Sequence, residues 1–108
     1  MKNFYAGTFM NREELGKVGI FYPIKLEYYK VTEEKAGREI YGVEIVKTKY
    51  KDEKPEIERK TELSITNQET EIERFLNILK DGEVTPAQLE YIVQDVIKQE
   101  EKKIYLEA

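Results

Sequence analysis

Hydrophobic and polar residues alternate with two different periods along this chain, and the change of period separates a sheet from a pair of helices. Between residues 18 and 65 the period is two, which is typical of half-buried strands. Between residues 66 and 97 apolar residues recur every three or four positions, as in amphipathic helices. This order predicts an α+β fold, in which a three-stranded antiparallel meander precedes two C-terminal helices packed on one face of the sheet.

The alternating part divides into three predicted strands, at 18–31, 39–50 and 56–65. Pro23 cannot donate to a strand ladder, so it predicts either an edge position or a break before a longer strand from Ile24. A turn over 33–38 joins the first two strands, with Gly37 at positive φ. A polar turn over 51–55 joins the second strand to the third.

The apolar positions of the second and third strands predict how these strands pair. If the inward faces align, Val43 lies opposite Leu63 and Tyr41 lies opposite Ile65. Ile57, Leu63 and Ile65 are then expected to point toward the core. The polar residues between them are expected to point outward.

The helical part carries start and stop signals for two helices joined by a tight turn. Thr66 and Glu69 have the spacing of a capping box, and so do Thr85 and Gln88. Gly82 is expected to supply the left-handed residue that ends the first helix. The two apolar stripes contain Ile72, Phe75, Leu76 and Leu79 in the first helix, and Leu89, Ile92, Val93, Val96 and Ile97 in the second.

At 108 residues the chain is predicted to form one domain. Its parts are an N-terminal segment of uncertain structure at 1–17, an antiparallel sheet at 18–65 and a helical pair at 66–105. The N-terminal segment contains Phe4, Tyr5, Phe9 and Met10 and is too apolar for a free tail. We expect it to pack on a sheet, either of its own chain or of a partner, with one helical turn opening near Asn11.

Composition removes most enzyme classes. The chain has no cysteine and no histidine, which excludes thiolate nucleophiles, Ser-His pairs and histidine metal sites. Glu69/Glu73 and Asp95/Gln99 have the spacing of helical neighbours, but they lie off the apolar stripes and are expected to be solvated. We therefore predict no catalytic residue, no cofactor and no metal. A carboxylate-based enzyme or a small-ligand binder remains the alternative.

The net charge of −4 is unevenly spread, with +2 on residues 1–54 and −6 on residues 55–108. Lys47, Lys49, Lys51 and Lys54 surround Tyr50 at the end of a predicted hairpin, as in some nucleic-acid sites. Nearby acidic residues offset these lysines, and the acidic helices repel phosphate, so nucleic-acid binding is not expected. An acidic inhibitor protein of a mobile element is a further alternative that the negative half of the chain permits.

Nothing in the sequence indicates a membrane protein. No segment approaches the roughly 20 apolar residues of a membrane span, and the first residues lack the apolar core of a signal peptide. The expectation is a cytoplasmic protein.

The face of the sheet opposite the helices is where the alternation fails to give a polar surface. Its apolar and aromatic positions are Phe21, Tyr29, Val31, Ile40 and Val46. Patches of this kind mark interfaces, so these five residues are the predicted partner-binding residues. Three interpretations are open: the N-terminal segment covers this face, a second copy packs on it as a homodimer, or a different protein partner docks there.

The chain also resembles a small uncharacterised family of bacterial proteins from spore-forming Gram-positive bacteria. The resemblance extends over residues 28–97. It rests on the sequence YGVEI at residues 41–45 and on ILKDGEVTPAQLEYIVQD at residues 78–95. These motifs describe a strand, a turn and a helix cap. The resemblance implies no activity and no catalytic residue, which leaves a non-enzymatic interaction or regulatory module as the predicted function.

Overall fold

The computed structural model describes the backbone of residues 1–10, 12–20, 22–51 and 53–107, with side chains as far as Val96 apart from that of Arg12. Four strands form one antiparallel sheet in the order β1-β2-β3-β4, and three helices lie between or after them. The strands are β1 (Lys2–Phe9), β2 (Ile24–Lys35), β3 (Arg38–Lys49) and β4 (Glu56–Thr66); the helices are α1 (Arg12–Lys17), α2 (Glu69–Asp81) and α3 (Pro86–Glu107).

The predicted α+β class is confirmed, but the prediction of three strands is wrong because β1 adds a fourth. β1 pairs antiparallel with β2, from Lys2 opposite Val31 to Phe9 opposite Lys25. A bulge at Tyr5 breaks the period of two within this strand. The alternation of apolar and polar residues therefore did not predict β1. The segment therefore packs on the edge of its own sheet, and residues 2–9 extend the outer face instead of covering it.

The first predicted strand begins later than residue 18, which confirms the interpretation of Pro23 as a break before a longer strand from Ile24. It starts at Ile24, directly after Pro23, whose carbonyl oxygen accepts a hydrogen bond from the Tyr50 N–H at 3.0 Å. β2 and β3 are joined by a two-residue turn in which Ala36 and Gly37 both have positive φ. Gly37 is as predicted, but the turn is shorter because both strands continue almost to it.

The predicted register of β4 is wrong by one residue. Val43 lies opposite Glu62 instead of Leu63, and Tyr41 lies opposite Thr66, with an irregularity between these pairs. Ser64 adopts a positive φ of 56° in this bulge. Gly42 makes the close approach possible, because a Cβ there would overlap the Glu62 carbonyl oxygen.

This shift changes which side chains of β4 reach the core. Ile65 packs against it as predicted, but Ile57 and Leu63 are 54% and 50% exposed, which contradicts their expected inward orientation. Glu58, Lys60 and Glu62 take the positions that face the helical layer. They are tolerated because β4 is an edge strand, where long charged side chains reach water.

An apolar core lies between the sheet and helices α2 and α3. Its buried members are Leu26, Tyr28, Tyr41, Val43, Ile45, Ile72, Phe75, Leu76, Leu79, Val84, Leu89 and Val93. The stripe predicted for the first helix is buried throughout. In the second helix Ile92 and Val96 are partly buried against the core, while the Ile97 side chain lies outside the described residues.

The first helix is capped differently from the prediction. Thr66 belongs to β4, and its hydroxyl accepts a hydrogen bond from the Gln68 N–H, so the capping box with Glu69 does not form. At the other end Gly82 has an ordinary helical φ of −85°, and Glu83 takes the left-handed position with φ 48°. The Val84 N–H bonds to the Leu79 carbonyl, which completes a Schellman motif.

The start of α3 agrees better with its signals. The Gln88 side chain accepts from the Thr85 N–H at 3.0 Å, which is half of the predicted capping box. The buried Tyr28 hydroxyl donates to the Val84 carbonyl at 2.9 Å and so ties the turn between the helices to the middle of the sheet. Burial, and secondarily the charge of Glu83, raise the pKa of Tyr28 well above its ordinary value.

Candidate interaction surface on the outer side of the sheet

The side of the sheet that faces away from α2 and α3 is called the outer surface here. It consists of every second residue of β2 from Lys25 to Glu33, together with the residues that lie opposite them on the neighbouring strands. Its members are Lys2, Phe4, Gly7 and Phe9 of β1; Lys25, Glu27, Tyr29, Val31 and Glu33 of β2; Ile40, Gly42, Glu44, Val46 and Thr48 of β3; and Ile57, Arg59 and Thr61 of β4.

The structure brings together four of the five predicted partner-binding residues on this surface. Tyr29, Val31 and Ile40 are half-buried, so part of each side chain is available for contact. Val46 is on the same surface but only 4% exposed, which makes it a packing residue of the sheet. Phe21 lies outside the described residues.

Sequence reasoning missed three exposed apolar residues of the outer surface. Phe4 and Phe9 of β1 are 60% and 65% exposed, and Ile57 of β4 is 54% exposed. The sequence did show that Phe4 is an apolar residue in an apolar N-terminal segment. It was missed because the pattern of this segment is too irregular to assign a strand. Ile57 was missed because the register of β4 was off by one.

Phe4 and Tyr29 form an aromatic pair near the middle of the β1–β2 ladder. The two residues are directly opposite each other, and their rings meet edge to face with centroids 5.7 Å apart. Phe4 also lies beside Gly7, where a Cβ would be 3.4 Å from the Phe4 Cζ atom. The Lys2 ammonium lies 4.9 Å from the centroid of the Tyr29 ring, which adds a cation–π contact.

Lys2 continues across the surface to a buried carboxylate on β3. Its Nζ lies 2.8 Å from Oε2 of Glu44, and the Thr61 hydroxyl donates to Oε1 of the same group at 3.0 Å. Burial alone would raise the pKa of Glu44, but the hydrogen bonds from Lys2 and Thr61, with the charges of Lys2 and Arg59, lower it below its ordinary value. Glu44 therefore stays ionised and links β1, β3 and β4 across the face of the sheet.

A second polar contact holds the tyrosine ring in place. The Tyr29 hydroxyl donates to Oε2 of Glu27 at 2.9 Å, and Lys25 lies 3.9 Å from the same oxygen. Burial and then the hydrogen bond to Glu27 raise the pKa of the Tyr29 hydroxyl above its ordinary value. Tyr29 is thus held by Lys2 at its ring and by Glu27 at its hydroxyl.

Two charged residues of the outer surface, Arg59 and Glu33, have fewer polar contacts than Lys2, Glu27 and Glu44. Arg59 forms no ion pair within 4.0 Å with the described residues, although its charge acts on Glu44 and Tyr29. Glu33 has one carboxylate oxygen shielded from water and without a hydrogen-bond donor in the described part of the chain. An unfilled acceptor of this kind is costly in a folded protein.

Of the two pairs singled out as alternative chemistry, Glu69/Glu73 has a structural partner, while the Gln99 side chain of the second pair lies outside the described residues. Lys30 lies 3.1 Å from Glu69 and 3.7 Å from Glu73, which ties α2 to the sheet. The hydroxyl of Tyr41 donates to Glu39 at 2.7 Å and lies 3.3 Å from Glu69. The hydrogen bond to Glu39, followed by burial, raises the pKa of Tyr41 to about 12.

The lysine patch at the β3–β4 hairpin is also offset by neighbouring acids. Lys49 forms an ion pair with Glu58 at 2.7 Å, and Lys51 lies 3.9 Å from Glu56. The hydrogen bond from Lys49 lowers the pKa of Glu58.

The described residues contain neither a metal-binding cluster nor a membrane-spanning helix. No group of three or more acidic side chains in this part of the chain is arranged to hold a metal ion. No helix in the same residues combines the length and the apolar character needed to cross a membrane.

Comparison with known proteins identifies the chain at the level of a family. A search of curated proteins and a search of solved structures each found no match. A family model described as a family of unknown function, DUF6514, matches residues 10–99. The match starts after β1 and includes every other element of the sheet, and it confirms the prediction of an uncharacterised family. The chain belongs to the family of unknown function DUF6514.

Proposed function

We propose that this protein is a non-enzymatic interaction module of the cytoplasm and that it binds another protein chain through its outer surface. The observation that carries the proposal is the aromatic pair of Phe4 and Tyr29, in which Phe4 is 60% exposed on a rigid sheet. A bacterial origin among spore formers, as implied by the sequence resemblance, is part of the same proposal.

Exposed aromatic residues at fixed positions are the usual anchors of protein interfaces. Phe4, Phe9 and Ile57 expose apolar surface, and Tyr29, Val31 and Ile40 lie partly accessible between them. Lys2, Lys25 and Glu27 supply a polar frame around these side chains. An apolar centre with charged neighbours is the composition that interfaces favour.

The protonation states favour binding over acid–base catalysis. A general acid among carboxylates requires a raised pKa, but Glu44, Glu58 and Glu69 all have pKa values lowered by their cationic or hydroxyl partners. A tyrosine base requires a lowered pKa, whereas the pKa values of Tyr28 and Tyr29 are raised. These groups support structure and surface shape.

Site-specific photo-crosslinking in cells tests the proposal. A photo-reactive phenylalanine analogue replaces Phe4 on the outer surface, and in a matched control it replaces Tyr91 of α3, which is 70% exposed on the helical side. We expect protein adducts at position 4 and none above background at position 91. The absence of adducts at position 4, or equal adducts at both positions, would contradict the proposal.

A further inference from the structure

We infer that the partner seated on the outer surface is a second copy of this chain, packed sheet to sheet around a two-fold axis. This inference rests on the proposed function and names its partner. The described outer surface has the charge balance, the area and the pattern of unpaired groups that self-association requires.

Charge distinguishes the outer surface from the helical layer. Residues 69–96 contain seven Asp or Glu and only two Lys or Arg. The outer surface carries three cations and three anions, which are Lys2, Lys25 and Arg59 with Glu27, Glu33 and Glu44. Two copies would repel each other through their helical layers, whereas sheet-to-sheet packing meets no net charge and keeps the acidic layers on opposite outer sides.

The area of the sheet is sufficient for a specific dimer. Four strands about 4.8 Å apart with roughly nine residues each give a flat area near 500 Å². The side chains add accessible surface to this projection, so two copies would bury more than the roughly 1,000 Å² in total that separates specific interfaces from chance contacts. Stacked sheets lie about 10 Å apart, close enough for the rings of Phe4 and Tyr29 to reach the other copy.

Within the described part of the chain, two charged groups of the outer surface form no ion pair within 4.0 Å, and they are of opposite charge. Glu33 lies opposite Ile40 of β3, and Arg59 lies opposite Val46. These positions differ by six residues along β3, which is about 20 Å at the usual rise of a strand, so the two side chains cannot meet within one chain. A two-fold axis in the plane between the sheets pairs Glu33 of each copy with Arg59 of the other, because such an interface is reciprocal.

Analytical ultracentrifugation of the purified chain over a wide range of concentration tests the inference. The expected species has twice the 12.8 kDa mass of the chain. Phe4→Asp is expected to weaken the dimer by at least about tenfold, as for an interface anchor. Tyr91→Asp is the matched control on the helical side and should leave the dissociation constant unchanged. Far-UV circular dichroism verifies that both variants fold.

Charge reversal tests the reciprocal pairing directly. Glu33→Arg and Arg59→Glu should each weaken the dimer by about tenfold, and the double variant E33R/R59E should recover most of the affinity. Recovery cannot come from within one chain, given the distance between the two positions. If the double variant is as weak as either single variant, the Glu33–Arg59 pairing is wrong.

A cysteine-free chain also allows single spin labels, which locate the contact independently of affinity. Val31→Cys, on the outer surface between the levels of Glu33 and Arg59 along the strands, should give a short distance between copies, and Tyr91→Cys should give a much longer one. A dimer that is insensitive to Phe4→Asp, or that has a short distance at position 91, overturns the inference. A chain that stays monomeric also overturns it, but the proposed function survives if position 4 still crosslinks to other proteins; with no adduct at position 4, both fail.

Discussion

Side chains on the two sides of the sheet are buried in different ways. On the helix side Leu26, Tyr28 and Ile45 are buried by α2 and α3, which are separate elements of the chain. On the outer side Glu44, Val46 and Thr48 are also buried, although they share this surface with exposed apolar residues. Burial therefore does not by itself tell a core residue from a surface residue in this fold.

The difference lies in what provides the cover. Val46 is flanked on the adjacent strands by Glu27 and Arg59, whose long stems lie along apolar surface while their charges reach water. Glu44 is enclosed by the Lys2 contact and the Thr61 hydrogen bond. A surface covered by flexible side chains can rearrange to receive a partner, whereas a surface covered by two helices cannot.

The largest expected contrast compares isoleucines on the two sides. Ile45→Ala should lower the free energy of unfolding by about 3 kcal/mol, since it empties space in a fully buried site. Ile57→Ala, on the outer side, should cost at most about 1 kcal/mol, because that side chain is largely in water already. Urea denaturation of the two variants measures the difference. Equal losses would mean that the outer side is also a closed core.

The burial of Val46 can be tested against a matched valine on the same surface. Val46→Ala should lower the free energy of unfolding by about 2 kcal/mol, and Val31→Ala by about half as much, because Val31 is only half-buried. Thermal and urea unfolding at a concentration that keeps the chain monomeric provide the comparison. A larger effect at Val31 would exclude the assignment of Val46 to packing and Val31 to contact.

The hydroxyl of Tyr28 tests how the helical layer is attached. Tyr28→Phe should lower the free energy of unfolding by about 1 kcal/mol, since the Val84 carbonyl loses its buried hydrogen-bond donor. Tyr91→Phe is the control and should be neutral, because Tyr91 is exposed. Amide hydrogen exchange should show faster opening around the α2–α3 turn in Tyr28→Phe, and unchanged exchange there would argue against this anchoring role.

The smallest expected effect is a dependence of stability on pH that arises on the outer side. The pKa of Glu44 in the folded protein is lowered from an ordinary value of 4.5, so its contribution to stability is fully present above that pH and is lost as the pH falls through the lowered pKa. Glu44→Gln should therefore flatten the acid end of the stability profile. Urea unfolding at several acidic pH values checks this, with Glu90→Gln on α3 as the control.

Local signals predicted the elements better than their pairing. The stripe of α2, the described part of the α3 stripe, the positive φ of Gly37 and half of the capping box of α3 were predicted correctly, because each depends on neighbours within a few residues. The register of β4 depends on a bulge at Ser64 and on its approach to Gly42, residues far apart in sequence. The alternation of residues within each strand does not predict that contact. Aligning the apolar residues therefore placed Ile57 and Leu63 on the wrong face of the sheet.

The candidate site was also only partly predictable, because some of its residues follow from local alternation and others from strand pairing. Tyr29, Val31 and Ile40 follow from strand alternation alone. Phe4 joins them only because β1 pairs with β2 around a bulge at Tyr5. Its place beside Tyr29 depends on the strand order of the whole sheet.

The sequence by itself determined the fold class, the two helices with their buried stripes, and the presence of an apolar surface opposite them. Periodicity and composition are sufficient for these features, because each follows from burying one face of a helix or strand. Tertiary structure decided the fourth strand, the register of β4 and the identity of the exposed residues on the outer surface. Those features depend on contacts between distant residues, where a single bulge or one glycine changes which side chain meets water.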